Sequence, residues 1–229
     1  MRGKARLYSK GTAFLLLLIL GPIVFIGVPV RVAFTEWFVE WEYSKEDFPE
    51  DIYGMSKEER LRLAKLGLKA VLSEEGMELF RRATLPDGRP AFNEREIRHM
   101  EDVKRILDIF FPFLYVSAFL SLTALIILRD LSLVGKALIS VSIITLLILL
   151  FALLVSLVNY DLAFEVFHNY LFDPYSWRFH PSDTLLRIYP MKFWYDATIF
   201  VILFSMTLSL ISVAVGAILL YLSWTSGRG

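Results

Sequence analysis

The chain has 229 residues, 56% of them hydrophobic, and its 24 Lys and Arg are balanced by 24 Asp and Glu. Zero net charge removes the basic excess that a nucleic-acid partner would call for. The absence of cysteine removes disulfides, thiolate metal ligands and any acyl-enzyme through sulfur.

Apolar residues fall in blocks separated by charge-dense stretches. A bilayer core about 30 Å thick is crossed by about 20 apolar residues rising about 1.5 Å each. Segments 12–30, 109–128, 137–158 and 197–224 meet that test, and none contains Asp, Glu, Lys or Arg. A charge at the centre of such a helix costs about 2.5–3.5 kcal/mol on insertion scales. The expected fold class is an all-α integral membrane protein, a single domain over 1–229. It has four transmembrane helices and two extracytoplasmic helical or aromatic loop regions.

Arg2, Lys4, Arg6 and Lys10 precede the first span, which resembles a signal peptide but lacks an Ala-x-Ala cleavage pattern. It reads as a retained anchor. The positive-inside bias then places the N-terminus in the cytoplasm. Four spans return the C-terminus, with Arg228, to the same side. The connection 129–136 is cytoplasmic on this reading, and loops 31–108 and 159–196 lie outside.

The first loop is expected to be helical. Ser56 and Glu59 have capping-box spacing, and Leu61, Leu63, Leu66, Leu68, Val71 and Leu72 follow as an apolar stripe. A second short helix is predicted over 73–82. Leu85-Pro86-Asp87-Gly88 reads as a turn. Asn93 and Glu96 make another box, from which a helix should continue through His99 and Asp102 into the second span. The second loop is dense in Phe, Tyr and Trp, residues that favour the headgroup level.

Ionisable residues inside spans mark most transport pathways, and none is found here. Polar chemistry instead flanks the spans, which points to a substrate presented at the outer interface. His99 lies about ten residues before the second span, so on a continuous helix it stands roughly 10–15 Å above the hydrocarbon. Asp102, three residues on, shares its face and is placed to fix the imidazole tautomer. His168 lies a comparable distance beyond the third span, on a face shared with Asp161 and Glu165. Two imidazoles at one level can serve as general base and general acid for acyl transfer.

Plainer readings stand beside these. His99 can be one more polar residue on a solvated helix, His168 an interfacial packing residue, and His180 a loop residue. Asp183 can cap a short helix 184–189 that Pro190 ends. Trp177, Trp194 and Tyr195 can be interface anchors. No paired-histidine zinc motif and no Gly-x-Ser-x-Gly element is present.

Two stretches resemble a known family, the lipoprotein intramolecular transacylases (Lit) of bacterial membranes. The first is Glu96-Ile97-Arg98-His99-Met100-Glu101-Asp102-Val103, similar to the family's Glu-x-x-His-x-x-Asp-Val element. The second runs through Phe167-His168, Trp177-Arg178-Phe179 and Asp183-Thr184-Leu185 to Pro190 and Phe193-Trp194. Where the family pattern commonly has Asp after Trp-x-Phe, this chain has His180. The resemblance implies an enzyme, an O-to-N acyltransferase of the bacterial cell membrane working at the outer leaflet, with no cofactor. Its partners would be membrane lipids and a diacylglyceryl-modified lipoprotein. The ester-linked chain at the glyceryl sn-2 position would move to the α-amine of the N-terminal cysteine, giving lyso-form lipoprotein. It also implies His99 and His168 as the catalytic pair, one the base on the amine and the other polarising the ester or protonating the leaving oxygen. Either order is open, the first being His99 as base with Asp102 its orienter. Trp177 and Asp183 would be supporting residues, with no metal ligand. The rival readings are a non-catalytic scaffold docking a partner on helix 56–72, and a metal-dependent interfacial hydrolase.

Overall fold

In the computed structural model, residues 2–173 and 175–227 are described, with side chains from Tyr8 onward. Arg228 and the side chains of Arg2, Lys4 and Arg6, invoked above for orientation, lie outside the described residues. The described residues form α-helices and no strand: α1 (Arg2–Ala33), α2 (Glu36–Ser44), α3 (Lys57–Leu72), α4 (Glu74–Arg81), α5 (Glu94–Leu128), α6 (Leu131–Val158), α7 (Tyr160–Leu171), α8 (Thr184–Ile188) and α9 (Met191–Ser226). Among them, α1, α5, α6 and α9 are long and apolar enough to cross a membrane. The chain divides into two compact units.

The first unit gathers the apolar parts of those four helices. Its core is small-sided, built from Ala13, Leu17, Ala124, Leu128, Ala137 and Val141. Lipid supplies no hydrophobic drive between helices, so association rests on close packing and interhelical hydrogen bonds. Both are visible. A Cβ built on Gly135 would fall 2.7 Å from the Gly216 carbonyl oxygen, and one on Gly216 would fall 2.8 Å from that of Gly135. Nearby, Ser212 of α9 donates to Leu138 O of α6 at 3.5 Å, and Ser142 donates to the same oxygen at 2.8 Å. Phe119 and Phe151 are exposed, as suits helix faces turned to lipid.

The connection between α5 and α6 is shorter than the expected 129–136. Arg129 takes a positive φ of 52°, and Asp130 accepts the Leu133 amide at 3.1 Å, so α6 starts at Leu131. Hydropathy locates the apolar stretch, whereas caps and backbone hydrogen bonds decide where a helix begins.

The second unit holds α2, α3, α4, α7 and α8 with the polar start of α5. Its caps follow the sequence closely. Thr35 accepts the Phe38 amide, Ser73 the Gly76 amide and Asn159 the Leu162 amide. Asn93 and Glu96 form a reciprocal box: Asn93 Oδ1 accepts the Glu96 amide at 3.0 Å, and Glu96 Oε2 accepts the Asn93 amide at 2.7 Å. At Ser56 only half of the box forms. Ser56 accepts the Glu59 amide, but the Glu59 carboxylate takes Arg62 at 2.6 and 2.8 Å, the charge-assisted option. The turn at 85–88 closes through the Gly88 amide to Leu85 O, with Gly88 at φ +84°.

Within this unit the short helix α8 is gripped by its neighbours. Tyr43 of α2 donates to Ile188 O at 2.7 Å. Arg60 of α3 donates to Arg187 O at 2.7 Å, and Tyr189, just past α8, donates to Ala64 O at 2.5 Å. Arg187 clasps Asp51 at 2.8 and 3.0 Å. In α3, Leu63, Leu68 and Val71 are buried against α4, α2 and α8, so half of the six-residue apolar stripe is not free to dock a partner.

The Gly135–Gly216 contact carries a stability prediction. Gly135→Ala should destabilise the fold by about 1–3 kcal/mol, because the clash is with backbone and not with a flexible side chain. Thermal unfolding of the purified variant in detergent micelles checks this; an unchanged melting temperature would contradict the close approach.

Candidate active site

The candidate site is assembled from α5, α7 and the segment that follows α7. Glu96 lies one turn before His99, and its carboxylate is buried, 1% exposed. Besides the Asn93 amide, it accepts the Leu185 amide of α8 at 2.6 Å. Burial pushes its pKa up, against the two backbone donors. Asp183, expected as the cap of α8, sits at the N-cap position but makes no side-chain cap bond. Its oxygens instead accept the His180 amide at 2.8 Å and Asn93 Nδ2 at 3.2 Å. Glu96 supplies from α5 the cap that Asp183 does not.

His99 and His168 come together, with ring centroids 6.1 Å apart and planes 27° from parallel. Aromatic side chains surround them. Phe172 lies 4.9 Å from His99 and 5.5 Å from His168, and Phe179 lies 5.4 Å from His99. Phe164, Trp177 and Phe167 stand 3.8, 5.0 and 5.5 Å from His168. Phe164, His168 and Phe172 are spaced by four residues on and just beyond α7, which is why they share one face.

The two imidazoles differ. His99 is 7% exposed, and its Nδ1 is sealed from solvent without a partner. Burial, with a smaller contribution from His168, lowers its pKa to about 4. His99 is therefore neutral at physiological pH. His168 is half-buried, and its Nδ1–H donates to Phe164 O at 2.8 Å. A carbonyl can only accept, so the proton sits on Nδ1 and the Nε2 lone pair is left free. Burial lowers its pKa as well, opposed by that hydrogen bond.

Asp102 does not orient His99. It accepts Arg105 at 3.3 Å, a cation at the same i,i+3 spacing on the opposite side, while the Nδ1 of His99 has no partner. His180 is exposed and engages Ser182, apart from the ring pair. Trp177 is part of the aromatic surround. The guanidinium of Arg178 stands 5.4 Å from its ring, tied to Glu165 at 2.8 Å, and Arg178 O accepts Arg95 at 3.2 Å. Among the described residues no group of three His, Asp or Glu side chains converges as metal ligands would. Glu96, Phe164, Phe172 and Phe179 were not singled out as site residues from the sequence. The Asn93–Glu96 box and the four-residue spacing around His168 were the available signals.

Two histidines from distant segments thus meet among aromatic side chains, in a membrane protein with four helices long and apolar enough to span. The chain matches the model of the family "lipoprotein intramolecular transacylase Lit" over residues 13–194. It is 53% identical, over 191 residues, to an uncharacterized protein of Aquifex aeolicus, covering 83% of this chain and 87% of that one. It also resembles the in meso structure of the membrane-integral Lit from Bacillus cereus, with TM-score 0.74 and 18% identity, covering 95% of this chain and 99% of that chain. A variant of that protein with a histidine replaced by alanine matches with TM-score 0.64 and 18% identity, over 98% of this chain and all of the other. The chain belongs to the Lit family.

Two outcomes follow from this geometry. Glu96→Gln should cost about 1–3 kcal/mol of stability, because one of two buried amides would face an N–H in place of an oxygen. Chemical or thermal unfolding reads that loss, and a variant as stable as the parent would refute the double cap. Both histidine pKa values lie below the ordinary 6.5, so the unfolded chain binds more protons in the window beneath 6.5. Stability is thus lost as pH falls through that window, down to about 4 for His99. His99→Phe should flatten the decline in melting temperature between neutral and acidic buffer; an unaltered slope would show that His99 is not held neutral by burial.

Proposed function

We propose that this protein transfers the sn-2 ester-linked acyl chain of a diacylglyceryl-modified lipoprotein to the α-amine of the lipoprotein's N-terminal cysteine. The product is lyso-form lipoprotein. The observation that carries the reading is the facing pair of neutral imidazoles among aromatic side chains, in a chain of the Lit family.

The amine has an ordinary pKa of about 7.7–8.0, so at neutrality much of it is an ammonium that cannot attack. The free-amine fraction attacks, and His168 Nε2 is the base for the proton that nitrogen sheds on bonding to the carbonyl carbon: its lone pair is free because Nδ1–H is committed to Phe164 O. This is the second of the two orders that the sequence leaves open. His99, neutral and buried, is suited to polarising the ester carbonyl through an N–H, as a neutral imidazole can. His168, once protonated, returns its proton to the departing glyceryl oxygen. Ester and amine reside on one substrate, so holding them in near-attack geometry can contribute several kcal/mol, with about 7–11 the upper range for well-oriented cases. No protein nucleophile is needed, in keeping with a chain that has no cysteine.

We place this site at the outer leaflet with both termini in the cytoplasm, on the strength of the positively charged N-terminal segment and the even number of spans. The scaffold reading loses support because Leu63, Leu68 and Val71 of its docking stripe are buried.

The test is expression in a host that makes diacylglyceryl lipoproteins, with mass and fragment analysis of the N-terminal lipopeptides. Lyso-form product should appear with the parental protein. His168→Ala should lower its rate by roughly 10²–10⁴-fold, the usual worth of a positioned acid–base group. Parental rates from both His168→Ala and His99→Ala would sink the paired mechanism.

A further inference from the structure

Among the described residues, five aromatic side chains lie against the two imidazoles, and only one of them carries a hydrogen-bond donor. That donor is Nε1 of Trp177, which is sealed from solvent and has no acceptor. A buried N–H without a partner is destabilising, and native structures keep few of them. This one is held in place from several sides. The indole lies 5.0 Å from the His168 ring and 6.4 Å from Phe164. The Arg178 guanidinium stands 5.4 Å from its centroid, where a cation draws on the π electrons and makes the N–H a better donor. Glu165 and the backbone contact with Arg95 keep Arg178 there.

We propose that the Trp177 indole N–H is a catalytic donor to the oxyanion of the acyl transfer, an inference that rests on the transacylase reading above. The amine nitrogen bonds to the ester carbonyl carbon, the π pair moves onto oxygen, and the amine proton passes to His168. The oxyanion accepts Nε1–H of Trp177 beside the N–H of His99. As the intermediate collapses, the carbonyl re-forms, the bond to the glyceryl oxygen breaks, and that oxygen takes the proton back from His168. Ester and amine have become amide and alcohol, with nothing oxidised or reduced. A donor lacking an acceptor at rest, and gaining one only as negative charge develops, favours the transition state over the ground state. Packing alone would use the indole's shape and leave its N–H without a role.

The experiment separates those two. In the full-length protein, Trp177 is replaced by 3-benzothienylalanine, which keeps the bicyclic shape and puts sulfur where the N–H was. Turnover of a synthetic diacylglyceryl lipopeptide in detergent micelles is compared with that of the parent and of Trp177→Phe. The isostere should lose roughly 10²–10³-fold in kcat, the usual effect of deleting one oxyanion donor, with KM and melting temperature unchanged. Turnover at the parental rate, or a loss accompanied by a lower melting temperature or by a raised KM at unaltered kcat, overturns the assignment. If the parental protein itself forms no lyso-form lipopeptide, the transacylase reading fails first and takes the donor role with it.

Discussion

The carboxylate of Glu96 is the contact on which the rest of the polar unit turns. One oxygen closes the start of α5 and the other closes the start of α8, 89 residues away in sequence. Two helix beginnings that would otherwise present unsatisfied amides are thereby joined through a single buried side chain. Because Glu96 and His99 are one turn apart, fixing the first also fixes the direction of the second. Asp183, relieved of capping, is left to tie the His180 amide and Asn93, and so to fasten the segment that carries Trp177 and Phe179.

The second constraint is electrostatic. One buried and one half-buried imidazole among aromatic rings resist protonation, because the charged form is poorly solvated there. Keeping both neutral leaves one lone pair and one N–H to work with. The Phe164 carbonyl selects which nitrogen of His168 keeps its hydrogen. A carboxylate partner would have raised the pKa and held a positive ring in place. A carbonyl orients the ring without charging it.

Much of the architecture was legible from local pattern. Spans follow from apolar length, and Asn93, Ser73 and Asn159 cap helices as their side-chain chemistry dictates. The continuity of α5 from the Asn93–Glu96 box through His99 into a long apolar helix was also readable. What was not legible depends on contact between distant segments. Asp102 has candidates at i−3 and i+3, and spacing cannot choose between His99 and Arg105; the charged partner prevails because His99 is turned into an apolar surround. The second bond of Glu96 is invisible without knowing that α8 arrives beside it. Trp177 reads as an interface anchor until its neighbours are known, and the stripe on α3 reads as a free surface until α4, α2 and α8 are seen to lie against α3.

The aromatic lining has one more effect on the proposed chemistry. An activated ester in an open basin would meet water at about 55 M, far above any amine. Phe164, Phe167, Phe172 and Phe179 offer water no hydrogen-bonding wall to wet, while the tethered amine arrives with its substrate. In the proposed reaction such a lining would favour passing the acyl chain on over releasing it as free fatty acid, whereas a polar rim would favour hydrolysis.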